Sequence, residues 1–200
     1  MKRMFLLMIA LVLSLSFTLA SCDSFDEIVD FSENKINGDN ASDETVDLSE
    51  VTIDFDKIIE NLPKLDAPVK GEVIKPHSTE VQIYNTTMQD YRVHIGVDIK
   101  TADGELVRAA ADGTVDKIWY DDQMGYCISI VHGERVSTVY KNLSENSPVD
   151  LAEGASVKRG DVIAAVGNTA PFERADEYHL HFEMLINDIC VDPQLYFSFQ

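Results

Sequence analysis

The sequence predicts an all-β domain over residues 67–200, and three observations carry that expectation. From Ala67 onward, short runs rich in Val, Ile, Tyr and Thr recur between Gly, Asp-Gly and Asn-containing breaks, the composition and punctuation of strands and turns. No long helical period survives in this part of the chain. Its 134 residues are enough to bury a core of their own.

Strands are expected near 71–75, 81–85, 95–101, 106–111, 114–121, 126–132, 135–141, 162–166 and 179–187. The run "HLHFE" (179–183) alternates between two unlike faces, as a strand does. Asp103-Gly104, Asp112-Gly113 and His132-Gly133 supply turns. "GELVRAAADGTV" (104–115) and "GASVKRGDVIAAVG" (154–167) echo each other, which suggests two similar hairpin units rather than a repeat array.

Two different segments precede this domain. Residues 1–21 combine Lys2 and Arg3 with an apolar run from Met4 to Ala20, the pattern of a secretory signal. The competing reading is an uncleaved membrane anchor. Residues 22–66 are an acidic tether: from 23 to 66 they hold 14 acidic and 3 basic residues and no lasting period. Within it, "IDFDKIIENL" (53–62) is either a short amphipathic helix ended by Pro63 or more linker. Outside the cytoplasm, Cys127 and Cys190 either pair as a disulfide or stay as two buried thiols.

The net charge of −19 excludes nucleic acid as a partner, since phosphate binding needs basic patches. It also excludes electrostatic attachment to an anionic membrane or wall polymer.

The chemistry concentrates in two short motifs. In "EYHLHFE" (177–183), strand geometry puts His179, His181 and Glu183 on one face, with Leu180 and Phe182 on the core face. In "HIGVD" (94–98), His94 and Asp98 flank Gly96, which can tighten the chain so that both converge. Imidazole nitrogen and carboxylate oxygen are zinc ligands, and three of them with an open fourth position make a catalytic site. Glu183 either orients a ligand imidazole from behind or is a solvated strand carboxylate.

The stretches "RVHIGVDI", "GELVRAAADGTV", "GYCISIVHG", "STVYKNL", "GASVKRGDVIAAVGNT", "HLHFE" and "VDPQLYF" together resemble the lysostaphin-type (LytM) zinc endopeptidases over roughly residues 70–197. The resemblance implies an antiparallel β-sheet core of barrel-sandwich hybrid character with a groove over one Zn²⁺. It implies His94, Asp98 and His181 as metal ligands, His179 as a catalytic group, and hydrolysis of peptide bonds in bacterial peptidoglycan. Leu19-Ala20-Ser21-Cys22 resembles the bacterial lipoprotein box, implying cleavage before Cys22, a lipid on its sulfur, and an extracytoplasmic protein anchored to the cell membrane.

One position departs from the family pattern. Where the family usually shows Tyr-x-His-Leu, this chain reads Tyr140-Lys141-Asn142-Leu143. Asn142 can donate through its amide but cannot act as a general acid or base. If the imidazole moves protons, its loss costs roughly 10²–10⁴ in rate. His132 and His77 are the only other histidines; each is a site candidate or an ordinary hydrogen-bonded residue. Tyr140 and Tyr178 read as core or groove wall, and Trp119 as core.

Two functions remain. One is a membrane-anchored zinc metalloendopeptidase acting on cell-wall peptidoglycan. The other is a catalytically impaired, zinc-retaining module serving as a scaffold or regulator of wall hydrolysis or sporulation, with a protein partner. "TVYKNL" and "GNTA" also resemble the stage II sporulation protein Q group, which is used in that way. A metal-free lipoyl-type carrier would need a carrier lysine at a hairpin tip, which is not seen.

Overall fold

Alternation of apolar and polar residues along short, β-branched runs produces twelve strands among the residues the computed structural model describes, 61–133 and 135–199. They are β1 (Glu72–Lys75), β2 (Ser78–Asn85), β3 (Asp90–His94), β4 (Val97–Lys100), β5 (Leu106–Arg108), β6 (Gly113–Asp121), β7 (Gly125–Val131), β8 (Val136–Leu143), β9 (Ser156–Val157), β10 (Val162–Ala165), β11 (His179–Ile186) and β12 (Ile189–Val191). The signal segment 1–21, Cys22, residues 23–60 of the tether and most of the helix candidate at 53–62 lie outside the described residues.

The main sheet runs β1-β4-β11-β8-β7-β6-β9, with β12 paired to β11, and every pairing is antiparallel. The all-β expectation therefore holds. The sheet is open: β1 and β9 stand at its ends and do not pair with each other. Two small sheets, β2-β3 and β5-β10, complete the described architecture.

Leu180, Phe182 and Met184 project from β11 into the core, beside Val97 and Ile99 of β4 and Tyr140 of β8. Burying each such side chain contributes about 1.5–3 kcal/mol. Trp119, expected in the core, is only half-buried on β6, with the Lys117 ammonium 5.2 Å from its ring centroid. A half-covered strand toward the sheet end leaves its ring to shelter a lysine instead.

Three strands were not expected. β2 and β3 turn through Thr86–Gln89, which has no glycine, and Gln89 takes the left-handed φ of 57°. β12 follows a two-residue turn in which Asn187 and Asp188 have φ of 51° and 61°, the type I′ geometry favoured by strand twist. β9 spans only two residues, too short for any sequence period. The echoing segments 104–115 and 154–167 do not form two separate hairpins; they pair with each other, through β5-β10 and β6-β9.

The fold also reaches into the tether: Leu62 and Leu65 pack against the core, and the Asp66 N–H donates to the Ala110 carbonyl at 2.8 Å. No disulfide joins Cys127 and Cys190, which stand on β7 and β12 with β8 and β11 between them. Burial pushes the Cys127 thiol up to about 12.

His132 is a core residue, distant in role from any site. Its Nδ1–H donates to the Asp112 carbonyl at 2.9 Å, and its Nε2 accepts from the Thr138 hydroxyl at 2.7 Å. Thr138 Oγ1 lies 2.9 Å from the Tyr140 hydroxyl, which accepts from the Ala110 N–H. Burial lowers the pKa of His132, against a smaller upward pull from Asp112. Below about pH 6.5, the ordinary histidine value, the unfolded chain therefore binds a proton that the folded chain resists. The stabilisation from a neutral His132 is complete above that pH and is lost as pH falls toward the depressed value. Denaturant titrations at pH 7.5 and 5.5 should show a steeper acid loss for the natural chain than for His132→Gln; equal losses would contradict the assignment.

Candidate metal centre

The second face of β11 carries the chemistry. His179, His181 and Glu183 all project from it and are all buried. β4 lies antiparallel alongside, with Asp98 directly opposite His181. His94 ends β3, where the chain crosses from the small hairpin to the main sheet. The motifs "HIGVD" and "HLH" are thus brought together as adjoining strands.

Gly96 permits this approach, for a reason other than the tight turn expected. A Cβ there would stand 2.7 Å from His181 Nε2, 2.7 Å from the Phe182 carbonyl and 3.0 Å from Glu183 Cγ. The position needs the absence of a side chain.

Three donor atoms converge. His181 Nδ1 lies 2.8 Å from Asp98 Oδ1, His94 Nε2 lies 3.1 Å from the same oxygen, and the two nitrogens are 3.2 Å apart. Outer partners fix both rings. His94 Nδ1–H donates to the Pro76 carbonyl at 2.9 Å, so its Nε2 lone pair points inward. His181 Nε2–H donates to Glu183 Oε1 at 3.1 Å, so its Nδ1 faces inward. Lys141 Nζ is 2.8 Å from the same Glu183 oxygen. Glu183 is therefore the orienting carboxylate, not a solvated one. Two imidazole nitrogens and a carboxylate aimed at one point repel unless a proton or cation lies between them. That donor set fits a zinc ion.

His179 stands beside this cluster. Its Nδ1–H donates to the Glu177 carbonyl at 2.6 Å, which directs Nε2 inward. Asn142 sits at the end of β8 with a left-handed φ of 62°. Its amide nitrogen donates to the His179 carbonyl at 3.1 Å and lies 3.4 Å from His179 Nε2. Its amide oxygen accepts from the Thr169 and Ala170 N–H groups at 2.9 and 3.0 Å.

Two residues here were not expected. Glu173, at the end of the 3-10 turn Pro171–Glu173, is buried among the ligands. His94, Asp98, Glu173 and His181 each offer a donor atom within 4.8 Å of the others. Lys75 reaches in from the end of β1. Its ammonium lies 2.8 Å from Asp98 Oδ2 as an ion pair, 3.2 Å from Glu173 Oε1 and 2.7 Å from Asp176 Oδ2. Neither residue belongs to a spacing that sequence patterns carry: Lys75 is 23 positions from Asp98, and Glu173 lies in a turn after Pro171.

Charge balance sets the protonation of the site. Burial alone would lower His181, but Glu173, Asp98 and Glu183 outweigh it and raise it to about 10. Burial likewise opposes the ionised form of Glu183, yet His181 and Lys141 hold it down at about 2. For Asp98, His181 and His94 overcome burial and keep the carboxyl well below its usual range. His179 is raised, as Glu173 and Asp98 prevail over burial. Lys75 is raised against burial by Asp98, Glu173 and Asp176.

The remaining candidates lie elsewhere. His77 Nδ1–H donates to the Ile95 carbonyl at 2.9 Å, pinning the segment before β2 to the crossing after β3. Tyr140 is fully buried in the core, and Tyr178 is exposed.

The profile of peptidase family M23 matches residues 92–193, which include every residue of the cluster except Lys75. The chain is 29% identical over 168 residues to stage II sporulation protein Q of Bacillus subtilis, covering 78% of this chain and 57% of that protein. It is 37% identical over 106 residues to the DD-carboxypeptidase/endopeptidase Mpg of Neisseria meningitidis, covering 53% of this chain and 23% of that one. The chain thus spans little more than half of the first of these and under a quarter of the second. Among solved structures, the SpoIIQ–SpoIIIAH pore-forming complex is similar with a TM-score of 0.58 and 25% identity, over 68% of this chain and 92% of that one.

Proposed function

Because this chain belongs to peptidase family M23, we propose that it is a zinc metalloendopeptidase that hydrolyses peptide bonds in cell-wall peptidoglycan, tethered to the outer side of a membrane. The observation that carries the reading is the convergence of His94 Nε2, Asp98 Oδ1 and His181 Nδ1 within 2.8–3.2 Å, with His179 alongside. These three residues would hold one Zn²⁺, which supplies a Lewis acid for the scissile carbonyl and a more acidic bound water. His179, its Nδ1 tied to a backbone carbonyl, presents Nε2 to take or give a proton. Glu183 and Lys141 hold the His181 ring in orientation from behind. Asn142, standing where the family's pattern has histidine, supports the His179 strand and offers an amide donor but no titrating group.

The peptide substrate is supported by the similarity to Mpg, a DD-carboxypeptidase/endopeptidase. The membrane tether rests on the basic and apolar start, on Cys22 as the lipidation site, and on the acidic stretch through residue 66. Similarity to stage II sporulation protein Q over 78% of the chain favours a second reading, a zinc-retaining module that docks a protein partner.

The test uses the zinc-loaded full chain in detergent with purified peptidoglycan, and Asp98→Ala as control. Mass spectrometry of the soluble fragments should find new free amino groups, at whatever rate, from the natural chain and none from the variant. Equal fragment release from both, or none from the natural chain and from a variant with Glu173 removed, would end the hydrolase reading in favour of the docking module.

A further inference from the structure

In a catalytic zinc site of this kind, three protein ligands leave the fourth position to water. Here a fourth side chain stands beside the three donors. Glu173 Oε1 lies 3.8 Å from His94 Nε2, and Oε2 lies 3.8 Å from His181 Nδ1 and 3.1 Å from His179 Nε2. Four donors about 2.0–2.2 Å from a tetrahedral centre stand about 3.3–3.6 Å from one another. The three donors of His94, Asp98 and His181 are 2.8–3.2 Å apart, each Glu173 oxygen is 3.8 Å from one of the two imidazoles, and one donor from each of the four residues lies within 4.8 Å of the others, so a metal would draw the carboxylate in by a short movement. Glu173 is thus within ligand reach, and it also fills the side of the site that His179 faces.

Its position is braced from several sides. Lys75 binds Glu173 and Asp176 at 3.2 and 2.7 Å, clamping both ends of the turn. The Phe172 N–H donates to the Gln123 carbonyl at 3.0 Å, and the Phe172 carbonyl accepts from the Asn85 side chain at 3.1 Å. The Ala175 N–H donates to Thr87 Oγ1 at 3.0 Å. The Arg92 guanidinium lies 5.0 Å from the Phe172 ring centroid. Asn85, Thr87 and Arg92 all belong to the β2–β3 hairpin, so the turn carrying Glu173 moves only with that hairpin or against it.

We propose that Glu173 is a fourth protein ligand to the metal, held in place by Lys75, and that it closes the site to water and substrate until the 171–176 turn is displaced. The inference rests on the metal-binding part of the proposed function and does not require the peptidase part. It leaves a bound metal with no open position as folded, and displacement of the turn as the step that opens one.

The experiment replaces zinc with Co²⁺ in the full chain and follows its visible absorption while azide, a small anionic metal ligand, is added. The natural chain should hold a four-coordinate spectrum that azide does not change. Glu173→Ala should bind Co²⁺ at least about 10-fold more weakly, the smaller loss typical even of an outer partner, and its spectrum should shift on azide addition. Glu173→Gln, which keeps the side-chain volume, guards against a folding defect and should respond to azide in the same sense. Lys75→Met should make the natural ligand displaceable by azide. A natural chain that takes azide readily would overturn the proposal, whether or not it cuts peptidoglycan; that is also the result expected if Glu173 were a proton carrier beside an open site. Unchanged cobalt affinity in both Glu173 variants would overturn it equally. A closed site opened by Glu173→Ala, with no peptide release from either protein, would sustain the proposal while ending the hydrolase reading.

Discussion

Gly96→Ala is expected to abolish useful metal binding, lowering affinity at least 100-fold, and to destabilise the fold by about 1–3 kcal/mol, as overpacking of a tight interior does. The new Cβ would stand 2.7 Å from the Phe182 carbonyl, which is backbone in the central strand and cannot swing aside. It would stand equally close to His181 Nε2, the atom that donates to Glu183. Relief requires β4 and β11 to separate, and that separation acts on the Asp98–His181 pair, whose donors must stay about 3 Å apart. Zinc competition titrations and denaturant midpoints measure the two effects. Alanine tolerated with unchanged zinc affinity would show that the strands have slack the packing does not reveal.

Asn142→Ala is expected to cost about 2–5 kcal/mol, more than the loss of a surface side chain by a wide margin. Its amide oxygen is the acceptor for both the Thr169 and Ala170 N–H groups, and each donor left unpaired in a buried place costs about 1–3 kcal/mol. The left-handed φ of 62° adds strain that asparagine tolerates better than alanine. Asn142→Gly separates the two: it removes the strain and keeps the unpaired donors, so it should recover only part of the loss. Chemical denaturation of the three proteins measures this, and full recovery with glycine would assign the effect to backbone strain alone. The same bonds bear on Asn142→His. An imidazole there offers at most one acceptor nitrogen to two N–H groups, and those groups open the segment that leads to Glu173. Introducing a titrating group at 142 therefore loosens the turn as well, and a gain in turnover would have two sources.

The sheet and the two motifs of the site were legible in the sequence because each depends on local spacing, while the choice of His181 over His179 as the third donor came from the family resemblance. Alternation along "HLHFEMLI" placed Leu180 and Phe182 in the core and His179, His181 and Glu183 opposite, as found. His94 and Asp98 are four residues apart and needed only one partner strand. Exposure on that second face was harder to read. Alternation separates apolar from polar faces, but it does not say what covers the polar one. Here Lys75 and Glu173 meet Asp98 and His179, while Lys141 and the chain at Gly96 meet Glu183, which is buried and paired rather than solvated. Glu173 and Lys75 went unseen because they meet across 98 positions of sequence, through contacts that no period encodes. Strands β9 and β12 were missed for their length, and β3 because its hairpin turn lacks the expected glycine.

The order of strands has a consequence for how the site comes into being. β11 is a central strand, hydrogen-bonded to β4 on one side and β8 on the other. Taken without residues 179–186, the main sheet divides into two parts, β1-β4 and β8-β7-β6-β9. His181 and Glu183 stand on the strand that joins the two, so the donor set requires a pairing over 83 positions, between Asp98 and His181, with the loop-closure cost that such a span carries. Without that strand, only His94 and Asp98 of the three donors remain. The donor set and the joined sheet thus depend on the same strand: what holds β4 to β8 also brings the third donor to His94 and Asp98.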